Sequence, residues 1–161
     1  MFPFCMNDHF VLLYGDVNNG LFYILDPHGP DGDLFTKQER THFLHTYEDL
    51  WAYHMDRLEA PRKVWRFATR RQVRQVYEDF QLPLQPGGWD ANCGPLTALY
   101  AATISTGKPF DYAGFEEHKE AFMSIQDHAS GHWIEFMRRF RWRMAYDMAQ
   151  YIDNYERTMQ E

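Results

Sequence analysis

Cys93 stands where a turn-rich stretch, QPGGWDAN, gives way to the apolar run CGPLTALYAATIST. A cysteine in the first turn of a helix is stabilised as thiolate by unpaired backbone N–H groups and by the helix dipole, which makes it a competent nucleophile. Position alone does not decide its role, because a buried free cysteine is more often a small hydrophobe. The loop before it adds weight to the chemical reading. Pro86-Gly87-Gly88 demands irregular backbone immediately upstream, of the kind that aims main-chain N–H groups and the Gln85 amide at an oxyanion forming beside the sulfur. The second oxyanion donor could be the N–H of Asn92 or of Cys93, and the sequence does not choose between them. A thiolate also needs a base and a group to orient that base. His9 opens one β-prone run, HFVLLYGD, and Asp26 closes the next, LFYILD, so cysteine, histidine and aspartate together offer the set used in acyl transfer.

Other residues compete for these roles. His28 is a rival base, since a hairpin pairing places it opposite His9, but it follows Pro27 in a turn and reads first as a loop residue. Asp90, three residues before Cys93, reads as a group that holds the loop. His42 with His45, and His128 with His132, have helix-compatible spacings for a metal ion, yet no cysteine or carboxylate completes a zinc set. No metal and no cofactor is therefore expected. Cys5 reads as a packed thiol on the chain entering His9.

The elements that must position these groups follow from local pattern. Val17-Asn18-Asn19-Gly20 separates the two β-prone runs and supplies the positive φ of a tight turn. The four-residue loop pairs Asp16 with Leu21, which sets His9 diagonal to Asp26 on one face, about 7–8 Å apart at Cα and within reach of imidazole and carboxylate. A one-residue slip would part them. Thr36 with Glu39 forms a capping box before a helix over about 36–58. Residues 62–75 mix a helical pattern in RRQVRQVY with β-prone VWRFAT, and a helix is favoured. FQLPL at 80–84 reads as a short strand confined to an edge by its prolines. Pro95 and Gly107 bracket an apolar helix that Cys93 begins. A short helix is expected within 114–124, and a long terminal one carries Trp133, Phe136, Met137, Phe140, Met144, Met148, Tyr151 and Ile152 as its stripe. The expected fold is α+β, a small mixed sheet with packed helices in a single domain over 1–161.

Composition narrows the functional classes. A chain of 161 residues that is 45% hydrophobic and 17% aromatic can bury one sizeable core. No apolar run approaches the roughly 20 residues of a membrane span, and MFPFCMNDHF lacks a basic leader. With two cysteines there is no disulfide framework, so a reducing intracellular compartment, cytoplasmic or nuclear, is expected. A net charge of −7 opposes general nucleic-acid binding. The basic stretch Arg62, Lys63, Arg66, Arg70, Arg71 and Arg74, and a second one of Arg138, Arg139, Arg141 and Arg143, read first as solvated helix faces. Docking of an acidic partner at Arg62–Arg74 is the functional alternative.

The order of motifs, H-F-V-L-L from His9, Asp26 within YILDPHG, then Q-P-G-G-W-D-A-N-C-G ending at Gly94, resembles the cysteine peptidases that include the adenovirus maturation protease, adenain, and the SUMO and ubiquitin-like-protein proteases. The resemblance covers about residues 2–106, and the Arg-rich FRWRMAYDM is similar to the closing helix of many members. It implies an adenain-like, papain-like fold with Cys93 as nucleophile, His9 as base, Asp26 orienting the base and Gln85 stabilising the oxyanion. Phe10, where the family usually has tryptophan, then walls a narrow substrate groove with Gly87, Gly88 and Trp89. The implied substrate is a protein, either a precursor of viral type or a ubiquitin-like conjugate, and the host cell is the setting if the source is viral. Two alternatives belong to other classes: an acetyltransferase using the same triad, and an inactive protein-binding module of this fold.

Overall fold

A computed structural model of the chain describes residues 1–6, 8–31, 41–42, 45–46, 49, 52–53, 65–86, 92–124 and 131–160. Four strands, β1 (Phe2–Met6), β2 (His9–Asp16), β3 (Leu21–Leu25) and β4 (Arg66–Phe67), form one sheet in the order β1-β2-β3-β4. The first three pair antiparallel, and β4 joins β3 in parallel, making the sheet mixed. The β2–β3 register runs from Asp16 opposite Leu21 to Leu12 opposite Leu25, as the turn length predicts. The turn is fixed by more than its Asn and Gly residues. Asp16 Oδ1 accepts the N–H groups of Asn18 at 2.9 Å and Asn19 at 3.1 Å, and Gly20 supplies φ 62°.

Period-two alternation gives the sheet two apolar faces. Leu12, Leu21, Tyr23 and Leu25 face the larger core, shared with Tyr77, Leu96, Leu99, Tyr100 and Phe136. Val11 and Leu13 face the other side, packed with Phe4, Ile24 and Phe67. Two local expectations need correction here. Residues 66–67 form a strand rather than part of a helix, because buried Trp65 stacks on Phe22 at 4.4 Å and the backbone bonds the sheet through Arg66 N–H to Gly20 O and Ala68 N–H to Phe22 O. The helical pattern starts only after them, in α1 (Arg70–Phe80), where Thr69 and Gln72 form a capping box.

FQLPL is not a strand. Phe80 ends α1, Gln81 turns the chain with φ 51°, and residues 82–86 run buried and irregular. Prolines 83 and 86 have no N–H for a ladder, so other partners satisfy this backbone one group at a time. Tyr100 Oη donates to Pro83 O at 2.5 Å, Leu84 N–H donates to Phe122 O at 2.7 Å and Gln85 N–H to Pro27 O at 2.6 Å.

Helix α2 (Cys93–Thr106) ends at Gly107 with φ 66°, as read from the sequence. A 3₁₀ turn (Glu116–His118) leads into α3 (Lys119–Phe122), and α4 spans Gly131–Gln160. Trp133, Phe136 and Met137 of α4 are buried in the larger core. The later part of the expected stripe is not: Met148 is 62% exposed, Tyr151 70% and Ile152 50%. A helix of 30 residues is about 45 Å long and outruns a core of this size. The helix expected over 36–58 lies mostly outside the described residues; those described within it, 41–42, 45–46, 49 and 52–53, are helical. No helix among the described residues is long and apolar enough to cross a membrane.

Candidate active site

His9 begins β2 just after Asp8, whose φ of 60° turns the chain out of β1. Asp26 directly follows β3 and is 4% exposed. The hairpin register brings them together: His9 Nε2 lies 2.8 Å from Asp26 Oδ1. Asp26 is acceptor-only as a carboxylate, so Nε2 carries the donated proton and Nδ1 is the nitrogen left to accept one. Oδ1 also accepts the His28 N–H at 2.8 Å, whereas Oδ2 is buried without a hydrogen-bond partner among the described residues.

The rival base His28 proves to be a neighbour of the first. Its ring stacks on that of His9, with centroids 4.8 Å apart and planes 19° apart. Burial pushes its pKa below the usual histidine value, against the pull of Asp26 and with a smaller push from His9. A neutral ring therefore covers one face of His9.

The backbone that presents Asp26 is itself braced. Its carbonyl accepts the Tyr77 hydroxyl at 2.6 Å and the Gly29 N–H at 2.7 Å. Burial, with Asp26 adding to it, holds the Tyr77 phenol well above the usual tyrosine range, so it remains a donor. Tyr77→Phe is expected to lower unfolding stability by about 1–2 kcal/mol, since one of two bonds to a buried carbonyl is lost without changing shape. A shift in the urea midpoint at constant m-value would show this. An unchanged midpoint would mean that the hydroxyl does not brace the site.

Cys93 is the first residue of α2, 9% exposed and unpaired with Cys5. The following residue lies directly on β2: a Cβ built on Gly94 would stand 3.6 Å from the Phe10 ring. Phe10 is on the Leu12 face of the strand, the face α2 covers, and is 39% exposed. α2 meets β2 through Phe10, and the His9 ring, among the described residues, is hydrogen-bonded to Asp26 and not to Cys93. Gln85 is 4% exposed and tied by its N–H to Pro27, the residue after Asp26. Gly87, Gly88, Trp89 and Asp90 lie outside the described residues.

Cys5, expected to be packed, is exposed. It faces Phe10 across β1 and β2, but β1 is an edge strand among the described residues, and none of these adds a strand on its outer side. His42 and His45 are exposed, His128 lies outside the described residues, and His132 stacks on His118 at 3.9 Å. Among the described residues no group of three or more histidine, cysteine or acidic side chains could hold a metal ion.

Of the basic stretches, Arg62 and Lys63 lie outside the described residues, Arg66, Arg70 and Arg71 are exposed, and Arg74 pairs with Asp31 at 2.9 Å. On α4, Arg138 and Arg139 bond Glu135 and hold its carboxyl down at about 2, and Arg143 pairs with Asp147. Arg141 reaches out of its helix to the Asn92 side chain, beside Cys93. Neither this contact nor that of Tyr77 with Asp26 stands out in the sequence, because an arginine among four and a tyrosine on an apolar helix carry no local mark. No protein-family model, no curated protein and no solved structure matches this chain.

Proposed function

We propose that the chain is a cysteine endopeptidase of adenain-like, papain-like fold, acting on a protein substrate by a Cys-His-Asp mechanism. The observation that carries this reading is the 2.8 Å bond from His9 Nε2 to Asp26 Oδ1, made at the end of the sheet against which Gly94 packs through Phe10. That bond fixes the tautomer so that Nδ1 faces the task of taking the thiol proton, and the carboxylate stabilises the imidazolium that results. Hydrogen bonds between nucleophile and base commonly tighten only when substrate is seated.

In the reaction, the Cys93 thiolate attacks the peptide carbonyl carbon and forms a C–S bond. The carbonyl oxygen becomes an oxyanion, held by backbone N–H groups of the α2 first turn and by the Gln85 amide. The tetrahedral species collapses, the C–N bond breaks, and the imidazolium gives its proton to the leaving amine. Water, deprotonated by His9, then cleaves the thioester and restores the thiol. The groove that the resemblance implies at Phe10, Gly87, Gly88 and Trp89 is narrow in that family and favours small residues at the scissile bond. A viral-type precursor or a ubiquitin-like conjugate meets that requirement, and an acidic region of such a partner would complement the basic stretch Arg62–Arg74. Both cysteines being free agrees with a reducing, intracellular setting.

The test is intact-mass spectrometry after incubation with a panel of ubiquitin-like propargylamide probes and, separately, with acetyl-CoA. A stoichiometric probe adduct in the native chain, absent from Cys93→Ala and strongly slowed in His9→Ala, is the expected result. Acetylation of Cys93 without probe capture would assign acetyl transfer instead. Iodoacetamide reactivity at neutral pH no greater than that of an ordinary exposed thiol would leave a binding module.

A further inference from the structure

The segment Asp26-Pro27-His28-Gly29 is one turn closed twice. Gly29 N–H donates to Asp26 O at 2.7 Å, and His28 N–H donates to Asp26 Oδ1 at 2.8 Å. Pro27 is buried and fixes φ at the first central position, where a β-turn favours proline. His28 is the second central residue, so its ring leaves from a backbone already tied to the carboxylate that orients the base. That ring lies against the His9 imidazole with centroids 4.8 Å apart and planes 19° apart, the geometry of an offset stack. What the stack adds follows from the shape of imidazole. The His9 bond to Asp26 is made by Nε2, and in any histidine this atom lies closer to the line of the Cβ–Cγ bond than Nδ1 does. Swinging the ring about that bond therefore displaces Nδ1 more than Nε2, and the torsion concerned is a broad one. One bond at Nε2 leaves the aim of Nδ1 loosely set, whereas a flat ring laid on the imidazole sets its plane.

We infer that His28 is a positioning residue for the base: stacked on His9 from the turn that carries Asp26, it holds the imidazole in the plane that aims Nδ1 for the thiol proton of Cys93. The inference rests on the cysteine-peptidase reading. It gives the turn after β3 two parts in one device, since Asp26 fixes the tautomer of the base and His28 fixes the plane of its ring. Burial, the largest influence on His28, favours its neutral form. An imidazolium formed at His9 then meets an uncharged ring rather than a like charge.

Alkylation of Cys93 by iodoacetamide, followed against pH in a Cys5→Ser background, reads the thiolate and its pairing with His9 without a known substrate. His28→Ala removes the ring and keeps the backbone bonds of the turn. It is expected to raise the thiolate midpoint by about 0.5–1 unit, a slowing of about 3- to 10-fold on the acid side of that midpoint. His28→Phe keeps a flat ring that carries no proton, and it is expected to stay within about twofold of the unsubstituted rate. In a His9→Ala background, His28→Ala should change the rate by less than about twofold, because the ring it positions is gone. A midpoint unchanged by His28→Ala overturns the inference and leaves the peptidase reading standing. So does a slowing of the same size with and without His9, which a general loosening of the turn would produce. Equal slowing in His28→Phe also overturns it, since the imidazole of His28 rather than the stack would then be responsible. Should His28→Ala fail to give a native circular dichroism spectrum, His28→Asn, which also lacks a ring, takes its place with the same expected slowing. An ordinary thiol midpoint in the unsubstituted chain, unmoved by His9→Ala, overturns this inference and the peptidase reading together.

Discussion

Cys93→Ser is expected to lower peptide hydrolysis by at least about 10³-fold and to abolish capture of propargylamide probes, while leaving the unfolding free energy within about 1 kcal/mol. Sulfur and oxygen differ little in size, so the 9% exposed site keeps its packing. What changes is the acidity of the nucleophile. A thiol near pKa 8.5 ionises readily beside helix N–H groups, whereas a hydroxyl does not. Serine would therefore depend on full proton removal by His9 during attack. Activity retained within about tenfold would show that the sulfur is a packed thiol and would end the peptidase reading.

Asp26→Asn should reduce kcat by about 10²–10⁴-fold with a much smaller change in KM. The two donors that meet at Oδ1, His9 Nε2 and the His28 N–H, can still be accepted by an asparagine oxygen. In that orientation the new NH₂ lies where Oδ2 is buried with no hydrogen-bond partner among the described residues, and the negative charge that stabilises the imidazolium is gone. In the flipped orientation the amide N–H meets Nε2 and forces the proton onto Nδ1, the wrong nitrogen for a base. Both outcomes act on the chemical step rather than on binding. A pH–rate profile and a two-parameter kinetic fit would measure this; equal losses in kcat for Asp26→Asn and for a remote buried substitution would reduce the effect to one of stability.

The hairpin was the most legible part of the fold. Its turn length fixed the pairing of Asp16 with Leu21 and, through period-two geometry, the meeting of His9 and Asp26, because strand register propagates from a short loop without help from distant residues. The limits of α2 were legible for a similar reason: Pro95 and Gly107 are local punctuation, and the structure places its ends at Cys93 and Thr106. Misreadings arose where long-range contacts outweighed local pattern. Residues 66–67 became a strand because Trp65 found Phe22, and FQLPL lost its strand because Tyr100, Phe122 and Pro27 took up its backbone groups one by one. The exposed end of α4 keeps helical apolar spacing, which reports a helix but not whether a core extends far enough to meet it.

Sequence by itself determined the chemistry-bearing residue types, the α+β class and the one register on which the His9–Asp26 bond depends, since each of these is set by interactions between near neighbours in the chain. Only the tertiary structure decided that His28 stacks on His9, that Tyr77 braces the carbonyl of Asp26, that Phe10 meets α2 at Gly94, and that Arg141 takes the side chain of Asn92. Those contacts join residues far apart in sequence, and such pairings are selected by which surfaces the packed core brings together. No periodicity or motif within a segment encodes them.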